Sequence, residues 1–141
     1  MIKEKKDNIK FELLDHAADI KFRVFGKMLN EIFENSIEAL AYYESGGEKI
    51  ESKKGKVIEV SGNDTESLLY KFIDELLYLV DAERFIAVKG NVLLRGNNLK
   101  AELYGDDTDN NQLEHIKAPT YAEMYIKKTE DGWEAQFVLD V

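Results

Sequence analysis

The sequence predicts an α+β fold, a single compact domain in which two helices pack on a largely antiparallel or mixed β-sheet. Three observations predict it. Two stretches place apolar residues at helical spacing, and most other apolar runs alternate with period two. The second helix is followed by a train of strands linked by hairpin signals, with no linker or internal repeat. The 141 residues suit one domain. Residues 1–10 are mostly Lys, Glu, Asp and Asn and read as a flexible lead-in, leaving 11–141 as the folded unit.

Phe11 to Leu14 is a short strand. From Asp19 to Phe25 the pattern alternates, with Ile20, Phe22 and Val24 facing one way and Lys21 and Arg23 the other. This is a half-buried strand, ended by Gly26. Leu29, Ile32, Phe33, Ile37 and Leu40 predict an amphipathic helix over 29–44. Its start is poorly capped, because Met28 stands where Ser or Thr would accept a backbone N–H. Residues 44–55 form a loop and Lys56 to Val60 a strand. Asn63, followed by Glu66, predicts a capping box for a second helix over about 64–82. Leu68, Leu69, Phe72, Ile73, Leu76, Leu77 and Val80 give that helix a wide apolar stripe.

Arg84 to Leu94 is a strand bent at Gly90, and Gly96-Asn97-Asn98 is a hairpin turn. Leu99, Ala101 and Leu103 alternate along the return strand. Gly105 to His115 reads as a polar loop with four acids. His115 to Ile126 is extended, and Pro119 near its start marks an edge or a strand entry. Asp131-Gly132 turns the chain into a last strand on which Trp133, Ala135, Phe137 and Leu139 alternate.

Composition narrows the function. There is no Cys, which excludes disulfides, thiol nucleophiles and Cys-ligated zinc. No apolar run approaches the ~18 residues of a membrane helix, and Met1 to Lys10 lack the apolar core of a signal peptide. A cytoplasmic protein with no membrane partner is expected. The net charge of −9 argues against nucleic acid as the main partner and suits a protein partner with a basic surface.

The chain has no G-x-x-x-x-G-K-[ST], no G-x-G-x-x-G and no G-x-S-x-G. Its two histidines, His16 and His115, lack a zinc-type partner, so no residue is assigned a catalytic role. The acidic run from Asp106 to Asn111 invites an EF-hand reading that fails. Counted from Asp107, Gln112 replaces the turn Gly and Ala118 the twelfth-position Glu.

The densest polar knot is Leu14-Asp15-His16-Ala17-Ala18-Asp19-Ile20. It has two readings. In one, Asp15 caps a turn and His16 fills a polar pocket. In the other, the knot belongs to a hard-cation site. If the final strand lies beside the strand starting at Asp19, three carboxylates meet: Asp19, Asp140 and the terminus of Val141. Three clustered anions repel unless a cation or protons intervene, and such oxygens suit calcium, magnesium or manganese. Lys117 by residue type alone is an ordinary surface lysine.

Four blocks in order make the chain resemble the archease family from about Phe11 to Val141. They are the knot itself, Leu29 to Ala39, Ser67 to Leu79, and Ile116-Lys117-Ala118-Pro119-Thr120-Tyr121 with the ending Val138-Leu139-Asp140-Val141. The resemblance implies a small α+β protein that is not itself an enzyme. It assists a GTP-dependent RNA ligase that joins 2′,3′-cyclic phosphate or 3′-phosphate ends to 5′-hydroxyl ends, as in tRNA splicing. It promotes guanylylation of the ligase and restores multiple turnover. It implies a divalent cation, calcium in the first place, on Asp19, Asp140 and the Val141 carboxylate. Lys117 is implicated in activation, with Asp15 and His16 on the partner-facing side. Ala17, Met28 and Ala122 depart from the family pattern, which has Thr, Thr and His there. The rival expectations are a general chaperone and a metal-dependent phosphoesterase on the same carboxylates.

Overall fold

The computed structural model describes residues 9–14 and 19–141. The elements are β1 (Phe11–Leu14), β2 (Asp19–Gly26), α1 (Leu29–Glu44), β3 (Lys54–Ser61), α2 (Thr65–Glu83), β4 (Phe85–Arg95) and β5 (Asn98–Asp107). A 3-10 turn (Thr108–Asn110), β6 (Ala118–Thr129) and β7 (Gly132–Asp140) follow. The fold is α+β, with two helices packed on antiparallel sheets.

One sheet has four strands in the order β1-β2-β7-β6 and the other three in the order β3-β5-β4. Every pairing in both is antiparallel. Each helix touches both sheets: α1 lies against β2 and β4, α2 against β6, β4 and β3. One core results. Phe22 and Val24 of β2 and Ala135, Phe137 and Leu139 of β7 enter it from the larger sheet, and Leu99, Ala101 and Leu103 of β5 from the smaller. Between them, Phe33 of α1 meets Phe72 of α2 edge to face, with centroids 5.7 Å apart. Full burial of each such ring contributes about 1.5–3 kcal/mol.

Several details differ from expectation, each for a local reason. The box that opens α2 starts at Asp64, not Asn63. Asp64 Oδ1 accepts from Ser67 N at 2.8 Å, and Ser67 Oγ accepts from Asp64 N at 3.1 Å. On the core side of α2, Leu79 is buried and Val80 is only half-buried. The start of α1 is better served than Met28 suggests, because the Glu31 carboxylate accepts from Lys27 N at 2.7 Å and Met28 N at 3.4 Å. Gly105 to Asp107 are not loop but the end of β5. Gly105 lies so close to β4 that a Cβ there would sit 1.8 Å from the Ile86 carbonyl oxygen. The irregularity of β4 falls between Ala87 and Lys89, just before Gly90.

β7 lies between two strands and is buried on both faces, since Gln136 and Val138 are covered as well as the alternating apolar set. β6 is an edge strand, which accommodates Pro119. Its ladder with β7 breaks between Thr120 and Tyr125, where Glu123 takes a left-handed φ of 58°.

Candidate functional site

The β2–β7 register places Asp19 directly opposite Asp140. Directly opposed residues share a sheet face, where like charges repel. Phe22 and Val24 point into the core, so Asp19 shares the outer face with Lys21 and Arg23. The Oδ1 atom of Asp19 is shielded from solvent, whereas Asp140 is exposed. On the other side of β7, Ala118 pairs with Asp140, and the Lys117 N–H donates to the Asp140 carbonyl at 2.8 Å. The strand neighbourhood supposed from sequence is therefore present. It brings together Asp19, Asp140 and the main chain of Lys117, with Val141 next along. The Lys117 residue is exposed. Asp15 and His16 lie outside the described residues.

No local pattern in the chain connects Lys21 with Glu123. Lys21 lies two residues along the face from Asp19, and its Nζ donates to Glu123 Oε1 at 2.8 Å. Gln136 ties the same region together. Its Oε1 accepts from Arg23 Nε at 3.0 Å and its Nε2 donates to the Glu123 carbonyl at 2.8 Å. These bonds hold the β6 bulge, within which Tyr121 stacks flat on Tyr70 of α2 at 4.1 Å between centroids. Below the bulge, the Tyr125 hydroxyl donates to Glu134 at 2.5 Å. Burial, then this bond, pushes the phenol up to about 12.

The donor chemistry fits a hard cation. Asp19 and Asp140 offer carboxylate oxygens only, and the chain has no thiolate to favour a softer metal. Among the described residues, no group of three or more His, Cys, Asp or Glu side chains is placed to hold a metal ion. The opposed pair is two such side chains, so any further oxygen must come from outside that set.

The acidic loop is no rival site. Asp107 pairs with Lys54 at 2.6 Å and Asp109 with Arg84. Asp106 is buried and lies within reach of the Asn110 and Asn111 amides. Its carboxyl is held below the usual range, first by the Asp107 backbone N–H. A groove of about 780 Å³ lies at the far end of the same strand pair, where Gly26 pairs with Trp133. Three of its acids are engaged in structure: Glu31 at the start of α1, Glu34, which accepts from Val92 N at 2.8 Å, and Glu38, which pairs with Lys10 at 3.0 Å.

Comparison with known proteins finds sequence relatives and solved structures of the same fold. The Archease protein family matches residues 11–141. The protein archease of Pyrococcus abyssi is 40% identical over 140 residues, covering 94% of this chain and 99% of that one. The solution structure of Methanobacterium thermoautotrophicum protein 1598 superposes with a TM-score of 0.77 at 26% identity, covering 94% of this chain and 99% of the other. The crystal structure of an archease, "possible chaperone", from Thermotoga maritima has a TM-score of 0.66 at 20% identity, covering 91% and 94%. That likeness speaks for the fold.

Proposed function

The chain belongs to the archease family, and from that premise we propose that it activates a GTP-dependent RNA ligase rather than catalysing a reaction itself. In this reading it promotes guanylylation of the ligase, which seals 2′,3′-cyclic phosphate or 3′-phosphate ends to 5′-hydroxyl ends, and so restores multiple turnover in tRNA splicing in the cytoplasm. The observation that carries the reading is the Asp19–Asp140 opposition, with Lys117 bonded through its N–H to the same residue.

Asp19, Asp140 and the Val141 carboxylate would hold a divalent cation, calcium or else magnesium or manganese. Bound there, the ion supplies positive charge that offsets the opposed carboxylates. Lys117 presents an exposed ammonium just ahead of β6, where it neutralises phosphate charge at the ligase's nucleotide pocket. Asp15 and His16 contact the ligase beside it. The acidic chain needs a basic docking surface on the ligase and does not itself read nucleic-acid sequence.

The test is multiple-turnover ligation by the ligase of the same organism at limiting enzyme with GTP. A large rise in turnovers with this protein is expected, lost in Asp19→Ala and Lys117→Ala variants that remain folded. No rise with a competent ligase defeats the reading.

The second reading, a general chaperone, is the one named for the Thermotoga maritima protein. A holdase presents a contiguous apolar patch. Among the described residues, six of the large exposed apolar residues fall on six different elements: Leu13 on β1, Tyr42 on α1, Val57 on β3, Tyr78 on α2, Leu93 on β4 and Tyr121 on β6. Broad suppression of client aggregation without ligase stimulation would favour it.

A further inference from the structure

The core takes one side of α2 and leaves a second pattern on the other. Tyr70, Asp74 and Tyr78 recur at intervals of four, and Asp81 follows on the same face. Tyr78 is 54% exposed, and Asp74 and Asp81 are exposed with it. Asp74 thus stands one helical turn from a tyrosine on either side. Ring and carboxylate alternate along the outside of the helix.

The chain from His115 to Tyr121 runs beside this row and is tied to it at both ends. At one end His115 Nε2 lies 3.4 Å from Asp81 Oδ1. At the other the Tyr121 ring lies flat on Tyr70, 6° from parallel. The spans agree, since the helix from Tyr70 to Asp81 rises about 16 Å and the extended chain from His115 to Tyr121 reaches about 20 Å. Just before the first tie, the Glu114 N–H donates at 2.7 Å to the carbonyl of Glu44, the buried acid that ends α1. Lys117 falls between the ties, alongside the middle of the helix row, and its N–H bond to the Asp140 carbonyl joins the row to the opposed carboxylates. Neither Asp74 nor Lys117 forms an ion pair among the described residues. Tyr121 keeps 55% exposure despite the stack.

We propose that this face of α2, with Tyr121, is the surface on which the ligase docks, arginine side chains of the ligase seating on Asp74 between Tyr78 and Tyr121. The proposal rests on the chain being a ligase activator and names the surface that activation uses. A guanidinium lays its plane on an exposed ring and offers a fork of N–H donors to a carboxylate beside it. An ammonium meets the charge without the plane, and a phosphate chain is repelled by the same carboxylates. The net charge of −9 calls for a basic partner surface, and this row answers it next to Lys117. Because acids separate the tyrosines, the face is not an apolar patch. Docking here delivers Lys117 and the Asp19–Asp140 pair to the ligase together.

The experiment titrates the ligase of the same organism with this protein and reads stimulation against concentration, for wild type, Asp74→Ala, Tyr78→Leu, Tyr121→Leu and Lys117→Ala. A docking residue moves the concentration that gives half the effect and spares the plateau. Asp74→Ala and the two Leu variants should each raise that concentration about tenfold, whereas Lys117→Ala should abolish the plateau. Added salt should weaken wild type more than Asp74→Ala. Wild-type half-points in all three docking variants overturn the surface and leave the activator reading standing. No stimulation by wild type at any concentration defeats the activator reading, and peptide binding followed by NMR then decides the surface. An arginine-glycine peptide should shift the ring resonances of Tyr78 and Tyr121 first, and more than a lysine-glycine peptide of equal charge, a preference that Asp74→Ala removes. Shifts centred elsewhere, equal response to the two peptides, tighter binding of single-stranded RNA, or self-association that depends on Asp74 in sedimentation would each overturn it.

Discussion

Asp19 and Asp140 oppose each other across the β2–β7 ladder, so two negative side chains occupy neighbouring positions on one sheet face. On the proposal that the pair holds a cation, repulsion without the ion and binding with it follow from the same opposition. Asp140→Asn should therefore act with opposite signs. Without added metal it should raise stability by up to about 1 kcal/mol. With calcium at 100 times its dissociation constant, wild type should gain about 2.7 kcal/mol and the variant much less. Thermal unfolding with and without calcium measures both, at about 2–4 °C per kcal/mol. An unchanged calcium response in Asp140→Asn would remove the residue from the site.

Burial, then the charge of Asp81, raises the pKa of Glu44 and makes stability depend on pH with a definite sign. The folded state keeps the proton up to about 8, whereas the unfolded chain releases it near 4.5. Between those values the unfolded state binds fewer protons, so this group lowers stability as pH rises. Glu44→Gln should match wild type near pH 4 and be the more stable protein by pH 8–9. Urea unfolding at the two pH values checks it, and a gap independent of pH would contradict it.

Gln136 spans Arg23 and the carbonyl of left-handed Glu123. Gln136→Leu keeps the apolar volume but strands polar groups that it now satisfies, a loss of about 1–3 kcal/mol. The bulge should loosen with it, which amide exchange at Tyr121 and Glu123 would register. Wild-type protection in the variant would show that the bulge holds without the glutamine.

Gly105 and Gly96 separate two uses of glycine. A methyl at Gly105 would collide with the Ile86 carbonyl of the neighbouring strand, whereas Gly96, with φ of 59°, has nothing within 4 Å of the added atom. Gly96→Ala should cost about 1–2 kcal/mol from the left-handed backbone alone. Gly105→Ala should cost more, at or above the upper end of the ~1–3 kcal/mol typical of overpacking. Equal midpoints in denaturant would refute the ordering.

Periodicity made α1 legible to the residue, because Leu29 through Leu40 repeat along one stripe and only core packing answers that pattern. It also showed the inner face of β7. It could not show that Gln136 and Val138 are covered, because burial of a second face leaves no period of its own. The bulge between Thr120 and Tyr125 was illegible for the same reason, since a bulge is a break in alternation that resembles ordinary polar variation. Gly105 looked like a loop residue because glycine and aspartates usually mark turns. Its real role depends on a strand that arrives from elsewhere. Glu44 was legible in principle, as an acid on the phase of Phe33, Ile37 and Leu40. The Asp19–Asp140 meeting needed the strand pairing, which sequence could only suppose. The Lys21–Glu123 pair lies 102 positions apart in the chain and left no local trace.

The place of β7 between β2 and β6 has a consequence for how the protein is made. Arg23 and Gln136, joined across that pairing, are 113 positions apart. A ribosome releases β2 long before its central neighbour exists, so the nascent chain must wait with an apolar strand uncovered. Contacts this distant close slowly. The carboxylate pair is then a feature of the finished product alone. A chain cut short before β7 would carry Asp19 without its counterpart and could not pass for a complete molecule to anything that reads the pair.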